Sequence, residues 1–322
     1  MKPFYAIGSG ILASIADQFR AHRIAVVGGD ASFAAALPTL ECSFGDLELI
    51  DDSARIRDPK QLSEKLDRSI TMIIGLGGCA RLDVLKLVAH LRRIPLVTYP
   101  TLVGTDGIAS KFASMIDCKS EPVSIPTKFL QGILIDRSLV EQTDRRFIRS
   151  AIADVISNIT ASHSAPPTVS RIDAIEAARM LLTQELPSLD TVLEAVVRSG
   201  ISVSEDQTTQ AISGFEHNMI HTMRQLRVGS EQTHGEQAAI TTIITAALQN
   251  QDWQRLHRFL HQQGLQTTGK QVGITDQEMV DIVRRAATIR SERLTAETLP
   301  SSLSSERIAH CLVEIEQFHQ SL

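Results

Sequence analysis

The sequence is poor in aromatic residues, which make up 4% of the chain and include a single tryptophan, Trp253. A protein surface on which single-stranded nucleic-acid bases stack needs several exposed aromatic rings, so the composition argues against that class of protein. Lysine and arginine form no basic block, and the formal net charge is −5. The charge pattern therefore predicts no nucleic-acid partner and no binding to an anionic membrane.

Cysteines and long apolar runs are also scarce. The four cysteines lie far apart and form no CxxC pair, which argues against a disulfide framework and against a zinc site built from thiolates. The N-terminus lacks the apolar core of a signal peptide, and no run of about 18 apolar residues is available to span a bilayer. Together these absences predict a cytoplasmic protein.

The chain of 322 residues is longer than one hydrophobic core usually serves, which predicts two domains. In the first, over residues 1–140, short apolar runs alternate with helical patterns. The predicted strands are 23–29, 47–50, 70–74, 94–99 and 129–136, and the helical patterns between them are 9–21, 31–37, 59–67 and 81–92. Strands buried on both faces and separated by helices predict an α/β, Rossmann-like domain with a largely parallel sheet.

The second domain is predicted to cover residues 141–322 and to be all-α. Apolar residues recur at helical spacing in 145–162, 167–186, 189–199, 206–226, 232–249, 252–263, 275–293 and 305–320. Two of these segments have start signals: Ser188 is a candidate N-cap, and Thr275 with Glu278 fits a capping box.

Two turns at predicted strand ends are candidates for nucleotide and substrate binding. Gly75-Leu76-Gly77-Gly78 leads from a strand into a helix, where glycines permit close approach of a pyrophosphate and the helix N-terminus offers free N–H groups. Residues 100–110 follow the next strand and carry small hydroxyl residues and Asp106, at the sheet edge where open α/β folds bind ligands. A tight turn without a ligand is the alternative for each.

The helical half contains candidate metal ligands. Asp154 lies in an otherwise apolar helical stretch, His217 and His221 are one helical turn apart, and His234 opens a later helix. An unpaired buried carboxylate is costly, and histidines four residues apart share a helix face. Two imidazoles and a carboxylate are typical of a zinc or ferrous iron site that is open to substrate. Taken singly, a helical histidine is more often a solvated or packed residue than a metal ligand.

These motifs, in this order and spacing, resemble the iron-containing alcohol dehydrogenase superfamily, in its glycerol-1-phosphate dehydrogenase and glycerol dehydrogenase branch. The resemblance runs from about residue 20 to 250 and implies a nucleotide domain followed by a helical metal domain. It implies metal binding by Asp154, His217 and His234, and substrate contact by Asp106 and His221. It also implies cofactor contact by Gly75, Gly77, Gly78, Asp83, Lys86, Thr101 and Ser110.

The resemblance predicts a metal-dependent dehydrogenase that interconverts a small polyol, or polyol phosphate, and its ketone with NAD or NADP. Asp51 or Asp52, after the second predicted strand, favours NAD because a carboxylate accepts from a ribose 2′-OH and repels a 2′-phosphate. The metal is expected to be zinc, with iron or nickel as alternatives, and a homodimer is a further expectation.

Departures from the family pattern leave two other functions open. Cys79 replaces a third consecutive glycine, and residues 102–104 replace a small Ala/Ser-rich run, which indicates a substrate other than the family's best-known one. One alternative is a sugar-phosphate cyclase resembling dehydroquinate synthase, although such enzymes usually have a glutamate in place of Asp154 and more lysines nearby. The other is a degenerate member that binds nucleotide without catalysis.

Overall fold

The structure, a computed structural model, describes residues 2–43, 47–51, 58–118, 121–128, 130–163, 166–290 and 303–322, with backbone only for 37–43 and 47–51. The chain divides into two compact units, Met1–Asp144 and Arg145–Leu322. Within the described parts, no helix is both long and apolar enough to span a membrane.

The first unit is built around a parallel sheet. Its strands are β1 (Phe4–Gly8), β2 (Ile24–Gly28), β3 (Leu47–Asp51), β4 (Met72–Gly77), β5 (Leu96–Pro100) and β8 (Leu130–Asp136), with a separate hairpin of β6 (Phe112–Ile116) and β7 (Pro122–Pro126). Its helices are α1 (Ile11–Ile15), α2 (Asp30–Ser43), α3 (Pro59–Lys65), α4 (Cys79–Arg92) and α5 (Arg137–Glu141), with 3-10 turns at Ala16–Phe19 and Asp106–Ile108.

The six strands of the sheet lie in the order β1-β8-β5-β4-β2-β3, and every pair is parallel. Strands β2, β4 and β5 are buried along their whole length, as expected for a parallel sheet that is covered on both faces. Parallel order also places the carboxyl ends of β4 and β5 side by side. The turns that follow these two strands therefore share one edge of the sheet.

Sequence patterns missed three strands. β1 lies at the edge of the sheet, and its side chains are exposed or half-buried, so it lacks the continuous apolar run that identifies a central strand. The β6–β7 hairpin pairs antiparallel apart from the main sheet, and Pro122 and Pro126 bound its second strand. Proline within a short run argues against a strand, which explains why the pattern was not recognised.

The second unit contains helices and no strand in its described residues, as the sequence predicted. Its helices are α6 (Arg145–Ile156), α7 (Asn158–Ala161), α8 (Val169–Leu182), α9 (Leu189–Ser202), α10 (Phe215–Leu226), α11 (His234–Leu248), α12 (Trp253–Gln262), α13 (Asp276–Ala286) and α14 (Ser305–Gln320), with a 3-10 turn at Lys270–Val272. Helix α11 is buried almost all round because α6, α10, α12 and α14 pack against it.

In the second unit, the predicted helices 206–226 and 275–293 are shortened most in the structure. Helix α10 begins at Phe215 rather than at residue 206, because Gly214, with φ −108° and ψ −141°, breaks the helical backbone just before it. Helix α13 ends at Ala286 rather than at 293. Both predicted start signals are correct: the Ser188 side chain caps α9, and Thr275 with Glu278 forms a complete capping box.

One histidine of the helical unit is wholly buried away from the candidate metal ligands. His257 on α12 is 0% exposed, and its Nε2 lies 2.8 Å from Thr267 Oγ1 and 3.3 Å from Nδ1 of His319 on α14. Burial, and then the nearby charges of His319 and His261, lower the pKa of His257 to about 4 from 6.5. The folded protein thus holds this ring neutral.

We expect His257 to make the protein less stable in mild acid. The unfolded state takes up a proton below about pH 6.5 and the folded state only near pH 4, so stability is present at neutral pH and lost as pH falls through this window. Between about pH 7.5 and pH 5 the loss should be about 1 to 2 kcal/mol. Urea unfolding at both values measures it. A His257→Gln variant should lose less stability over the same interval than wild type, whereas the exposed control His310→Gln should behave as wild type.

Candidate active site

Asp154 and His217 come from two helices whose inner faces are buried. Asp154 lies on α6 within the wholly buried stretch from Ser150 to Ile156 and is 2% exposed. His217 lies in the first turn of α10 and is 8% exposed. Neither residue type is usual in a core without a partner, so their joint burial indicates a polar site inside the helical unit.

A capping box fixes the third ligand candidate, His234, as the first residue of α11. The Thr233 side chain accepts from the Glu236 backbone N–H, and the Glu236 carboxylate accepts from the Thr233 N–H. Arg146 on α6 then donates to both oxygens of Glu236, over 2.7 and 2.6 Å. The capping box thus defines where α11 begins. The ion pair between Arg146 and Glu236 connects this end of α11 to α6, the helix that carries Asp154. Thr233-His234-Gly235-Glu236 is a readable capping signal that the sequence analysis overlooked.

The structure brings Asp154, His217 and His234 into one cluster. Nε2 of His234 lies 3.2 Å from Asp154 Oδ1 and 3.1 Å from Nε2 of His217, and Nε2 of His217 lies 3.5 Å from the same carboxylate oxygen. One ligand atom from each residue falls within 4.8 Å of the other two. Two imidazole nitrogens and a carboxylate oxygen, converging and largely buried, are a donor set that fits zinc, ferrous iron or nickel.

Glu216 supports His217 from behind and was not identified from the sequence. It is 0% exposed, and its Oε1 accepts from the Gly214 N–H over 2.6 Å and lies 2.9 Å from Nδ1 of His217. Its Oε2 accepts from the Thr160 hydroxyl over 3.1 Å. Metal-binding histidines usually donate their second N–H to such a carboxylate, which fixes the ring and raises its basicity. The only sequence signal was an acidic residue directly before His217.

The charges of the cluster are unevenly distributed between the two rings. Burial would raise the pKa of Asp154, but hydrogen bonds to His217 and His234 hold it well below its usual range. Burial lowers the pKa of His234 to about 4, despite its hydrogen bond to Asp154. Burial alone would also lower the pKa of His217, yet hydrogen bonds to Asp154 and Glu216 raise it to about 9. Without metal, His217 is therefore the protonated ring, and a divalent cation has to displace that proton.

Two arginines contact histidines in this region of the helical unit. His221, one turn beyond His217 and 6% exposed, has its Nε2 3.3 Å from a guanidinium nitrogen of Arg290. Nδ1 of His234 lies 2.8 Å from Nη2 of Arg224, on α10. Neither contact is predictable from the sequence, because both depend on how the helices pack.

The glycine turn lies at the end of β4 as predicted. Gly75 and Gly77 belong to the strand, and Gly78 is the N-cap of α4, which begins at Cys79 rather than at residue 81. Gly77 has φ +134°, a conformation that other residues rarely adopt. The first turn of α4 therefore offers backbone N–H groups directly after the strand, the arrangement that suits a pyrophosphate.

The turn after β5 packs beside the glycine turn. The Thr101 N–H donates to the Gly77 carbonyl over 3.3 Å, and the Thr101 hydroxyl lies 3.4 Å from Ser32 Oγ at the start of α2. Cys79 Sγ lies 2.8 Å from Thr105 Oγ1. Sulfur in place of the family's third glycine thus links the two turns within the first unit. Ser32, which follows Gly28 and Gly29, was another residue that the sequence analysis left out.

Asp83 and Lys86 are held inside the first unit. Lys86 is 1% exposed, and its Nζ donates to Asp83 Oδ1 over 2.8 Å and to the carbonyls of Gly107 and Phe112 over 2.6 and 3.0 Å. Burial raises the pKa of Asp83, even though the charge of Lys86 beside it acts in the opposite direction. Lys86 thus fastens the loop over residues 106–112 to α4, and Asp83 Oδ2 accepts from the Ser114 N–H over 3.1 Å. Their direct contact with a cofactor therefore stays a prediction.

Two of the remaining predicted residues of the first unit, Asp106 and Ser110, lie on this loop. Asp106 opens the 3-10 turn and is 8% exposed, and Ser110 Oγ accepts from the Phe112 N–H over 3.2 Å. Asp51 ends β3, and its side chain and Asp52 lie outside the described residues. The structure thus brings Gly77, Gly78 and Thr101 together at one sheet edge, with the Asp106 loop joined to them through Cys79 and Thr105.

Comparison with known proteins identifies the family. A family model described as iron-containing alcohol dehydrogenase matches residues 10–143. The chain is 31% identical over 247 residues to a glycerol-1-phosphate dehydrogenase [NAD(P)+] of Nitrosopumilus maritimus, covering 72% of this chain and 69% of that one. It is 28% identical over 315 residues to the enzyme of the same name from Methanothrix thermoacetophila, covering 89% and 88%. The chain therefore belongs to the iron-containing alcohol dehydrogenase family, in its glycerol-1-phosphate dehydrogenase branch.

Solved structures agree on the fold. The crystal structure of glycerol dehydrogenase from Schizosaccharomyces pombe matches with a TM-score of 0.81 at 19% identity, covering 100% of this chain and 91% of that one. These comparisons confirm the predicted family, the α/β domain followed by an all-α domain, and the expectation that the chain is an enzyme of the dehydrogenase class.

Proposed function

We propose that the protein interconverts a small polyol, or a polyol phosphate, and the corresponding ketone by hydride transfer with NAD or NADP. The observation that carries the proposal is the convergence of Asp154, His217 and His234 in a chain whose relatives are glycerol-1-phosphate dehydrogenases. When bound, a divalent metal supplies a Lewis acid that stabilises negative charge developing on oxygen. The nicotinamide ring supplies the hydride chemistry.

The residues of the helical unit then have distinct tasks. Asp154, His217 and His234 hold the metal, with zinc as our first choice and iron or nickel as alternatives. Glu216 keeps the second nitrogen of His217 as a donor and so points Nε2 of that ring into the centre. We assign His221 to a substrate hydroxyl, where its imidazole can also pass a proton.

The first unit is assigned to the dinucleotide. Gly75, Gly77 and Gly78 leave room for the pyrophosphate, and Thr101 and Ser110 lie on the adjacent turn. Asp106 is assigned to a substrate hydroxyl. Asp83 and Lys86 are assigned to the cofactor as well, and Lys86 also fastens the adjacent loop to α4 through the carbonyls of Gly107 and Phe112. NAD is favoured over NADP if Asp51 contacts the ribose, and the homodimer and cytoplasmic location expected from the sequence remain predictions as well.

Metal analysis combined with NADH and NADPH oxidation tests the proposal. With dihydroxyacetone phosphate and dihydroxyacetone as substrates, we expect turnover that a chelator removes and one divalent metal restores, since the metal is required to stabilise charge. Stoichiometric metal and bound NAD without net NADH consumption would favour the cyclase. Protein that binds nucleotide but no metal would favour the degenerate member. Either result would contradict the proposal.

A further inference from the structure

The Nδ1 nitrogens of His217 and His234 face side chains of opposite charge. Nδ1 of His217 faces the carboxylate of Glu216 at 2.9 Å, whereas Nδ1 of His234 faces the guanidinium of Arg224 at 2.8 Å. A carboxylate accepts hydrogen bonds, and a guanidinium has five N–H donors and no acceptor. The two rings are therefore prepared differently for binding a metal.

The contact with Arg224 determines where the proton of His234 lies. Because Arg224 only donates, Nδ1 of His234 has to accept, and the proton of the neutral ring is on Nε2. That nitrogen points at Asp154 Oδ1, 3.2 Å away, and is the one that converges with the other ligands. A histidine that binds metal through Nε2 needs the reverse arrangement, with the proton on Nδ1 and an acceptor facing it. With the proton on Nδ1, the Nδ1–H of His234 and an N–H of Arg224 would point at each other.

We propose that Arg224 lowers the metal affinity of this centre, because its guanidinium has to leave Nδ1 of His234 before that ring can bind a metal through Nε2. This inference rests on the proposed metal site. The positive charge of Arg224 acts in the same direction, since it repels a divalent cation that binds at the neighbouring ring. Arg224 is an exposed residue, although burial of its guanidinium end against His234 lowers its pKa; the side chain can leave Nδ1 only by turning toward solvent. Metal loading is then coupled to the position of one surface arginine.

Metal affinity in a series of variants at position 224 tests the proposal. Competition with a chromophoric chelator for Zn²⁺ gives the Kd of each protein. Arg224→Gln should bind Zn²⁺ more tightly than wild type by about 10-fold or more, because the amide oxygen can accept from Nδ1–H and the charge is gone. Arg224→Met, which removes the charge without supplying an acceptor, should lie between the two. Arg224→Lys should stay close to wild type.

Arg227→Gln is the matched control. Arg227 is an exposed residue at the C-cap of the same helix, so its replacement removes the same charge without touching His234. Arg227→Gln should leave the Kd for Zn²⁺ unchanged. If it raised the Zn²⁺ affinity as much as Arg224→Gln does, net charge alone would explain the effect, and the proposal would be overturned.

Two further measurements separate this proposal from the metal site itself. The ¹⁵N shifts of the His234 ring should show the proton on Nε2 in metal-free wild type, and the population with the proton on Nδ1 should rise in Arg224→Gln. If His234→Ala binds Zn²⁺ as wild type does, the proposed metal site is wrong. If His234→Ala loses Zn²⁺ while Arg224→Gln equals wild type in affinity and tautomer, the role of Arg224 is wrong and the metal site stands.

Discussion

Replacing His234 by alanine is expected to abolish metal binding and turnover. The variant leaves two of the three converging ligand residues, Asp154 and His217. Loss of a group that merely supports a metal ligand costs about 10- to 100-fold in affinity, so loss of a ligand itself should cost at least about 100-fold. Turnover should fall to the background of the assay because the Lewis acid is missing.

Zn²⁺ titration and NADH oxidation by the same preparation measure both effects. His310→Ala is the matched control, since His310 is an exposed residue of α14 whose Nε2 lies 3.7 Å from Glu314. Circular dichroism should show that both variants are folded. Full activity in a metal-free His234→Ala protein would rule out the proposed centre.

The outline of the fold was readable from the sequence because its central strands have a strong local signature. β2 and β4 are apolar along their length and end in glycines, and a helix follows each. β1 could not be predicted in the same way. Its place at the sheet edge, beside β8, is fixed by a partner more than a hundred residues away, and its half-exposed side chains have no clear periodicity.

The three residues that converge in the candidate site were readable from the sequence, and the residues that support them were not. Asp154 was noticeable as a carboxylate in an apolar helix, and family resemblance supplied the pairing of His217 with His234. Glu216 and Arg224 both lie on α10, and each contacts a histidine ring: Glu216 contacts His217, and Arg224 contacts His234. The contact of Arg224 with His234 depends on where α11 begins, and no local pattern on α10 contains that information, whereas Glu216 meets His217 on its own helix.

Gly235 shows how the start of α11 is positioned against α6. Its N–H donates to Ser150 Oγ over 3.0 Å, and a Cβ built on Gly235 would overlap the backbone carbonyl of Ser150. The first turn of α11 therefore lies directly against α6, closer than any side chain allows. Asp154 is one helical turn beyond Ser150, and His234 directly precedes Gly235. The missing Cβ thus allows Asp154 and His234 to meet.

Gly235→Ala should consequently weaken both folding and metal binding. Alanine is preferred over glycine in a helix by about 1 kcal/mol, but overpacking costs about 1 to 3 kcal/mol or more. The obstructing atoms belong to the backbone, so no side-chain movement at Ser150 relieves the overlap. We expect a net loss of about 2 kcal/mol in the free energy of unfolding. As α11 moves off α6, the Kd for Zn²⁺ should rise by about 10-fold or more.

Urea unfolding and Zn²⁺ titration of the same protein provide the two numbers. Gly8→Ala is a suitable control, because a Cβ on Gly8 would meet only the Ile11 Cδ1 methyl at 3.7 Å, an ordinary contact. A loss of stability in Gly235→Ala with unchanged Zn²⁺ affinity would mean that α6 and α11 separate elsewhere and that the ligands keep their positions. If Gly235→Ala has the wild-type free energy of unfolding and the wild-type Kd for Zn²⁺, α6 and α11 can separate at no cost in free energy. That result would contradict the proposal that their close approach holds Asp154 and His234 together.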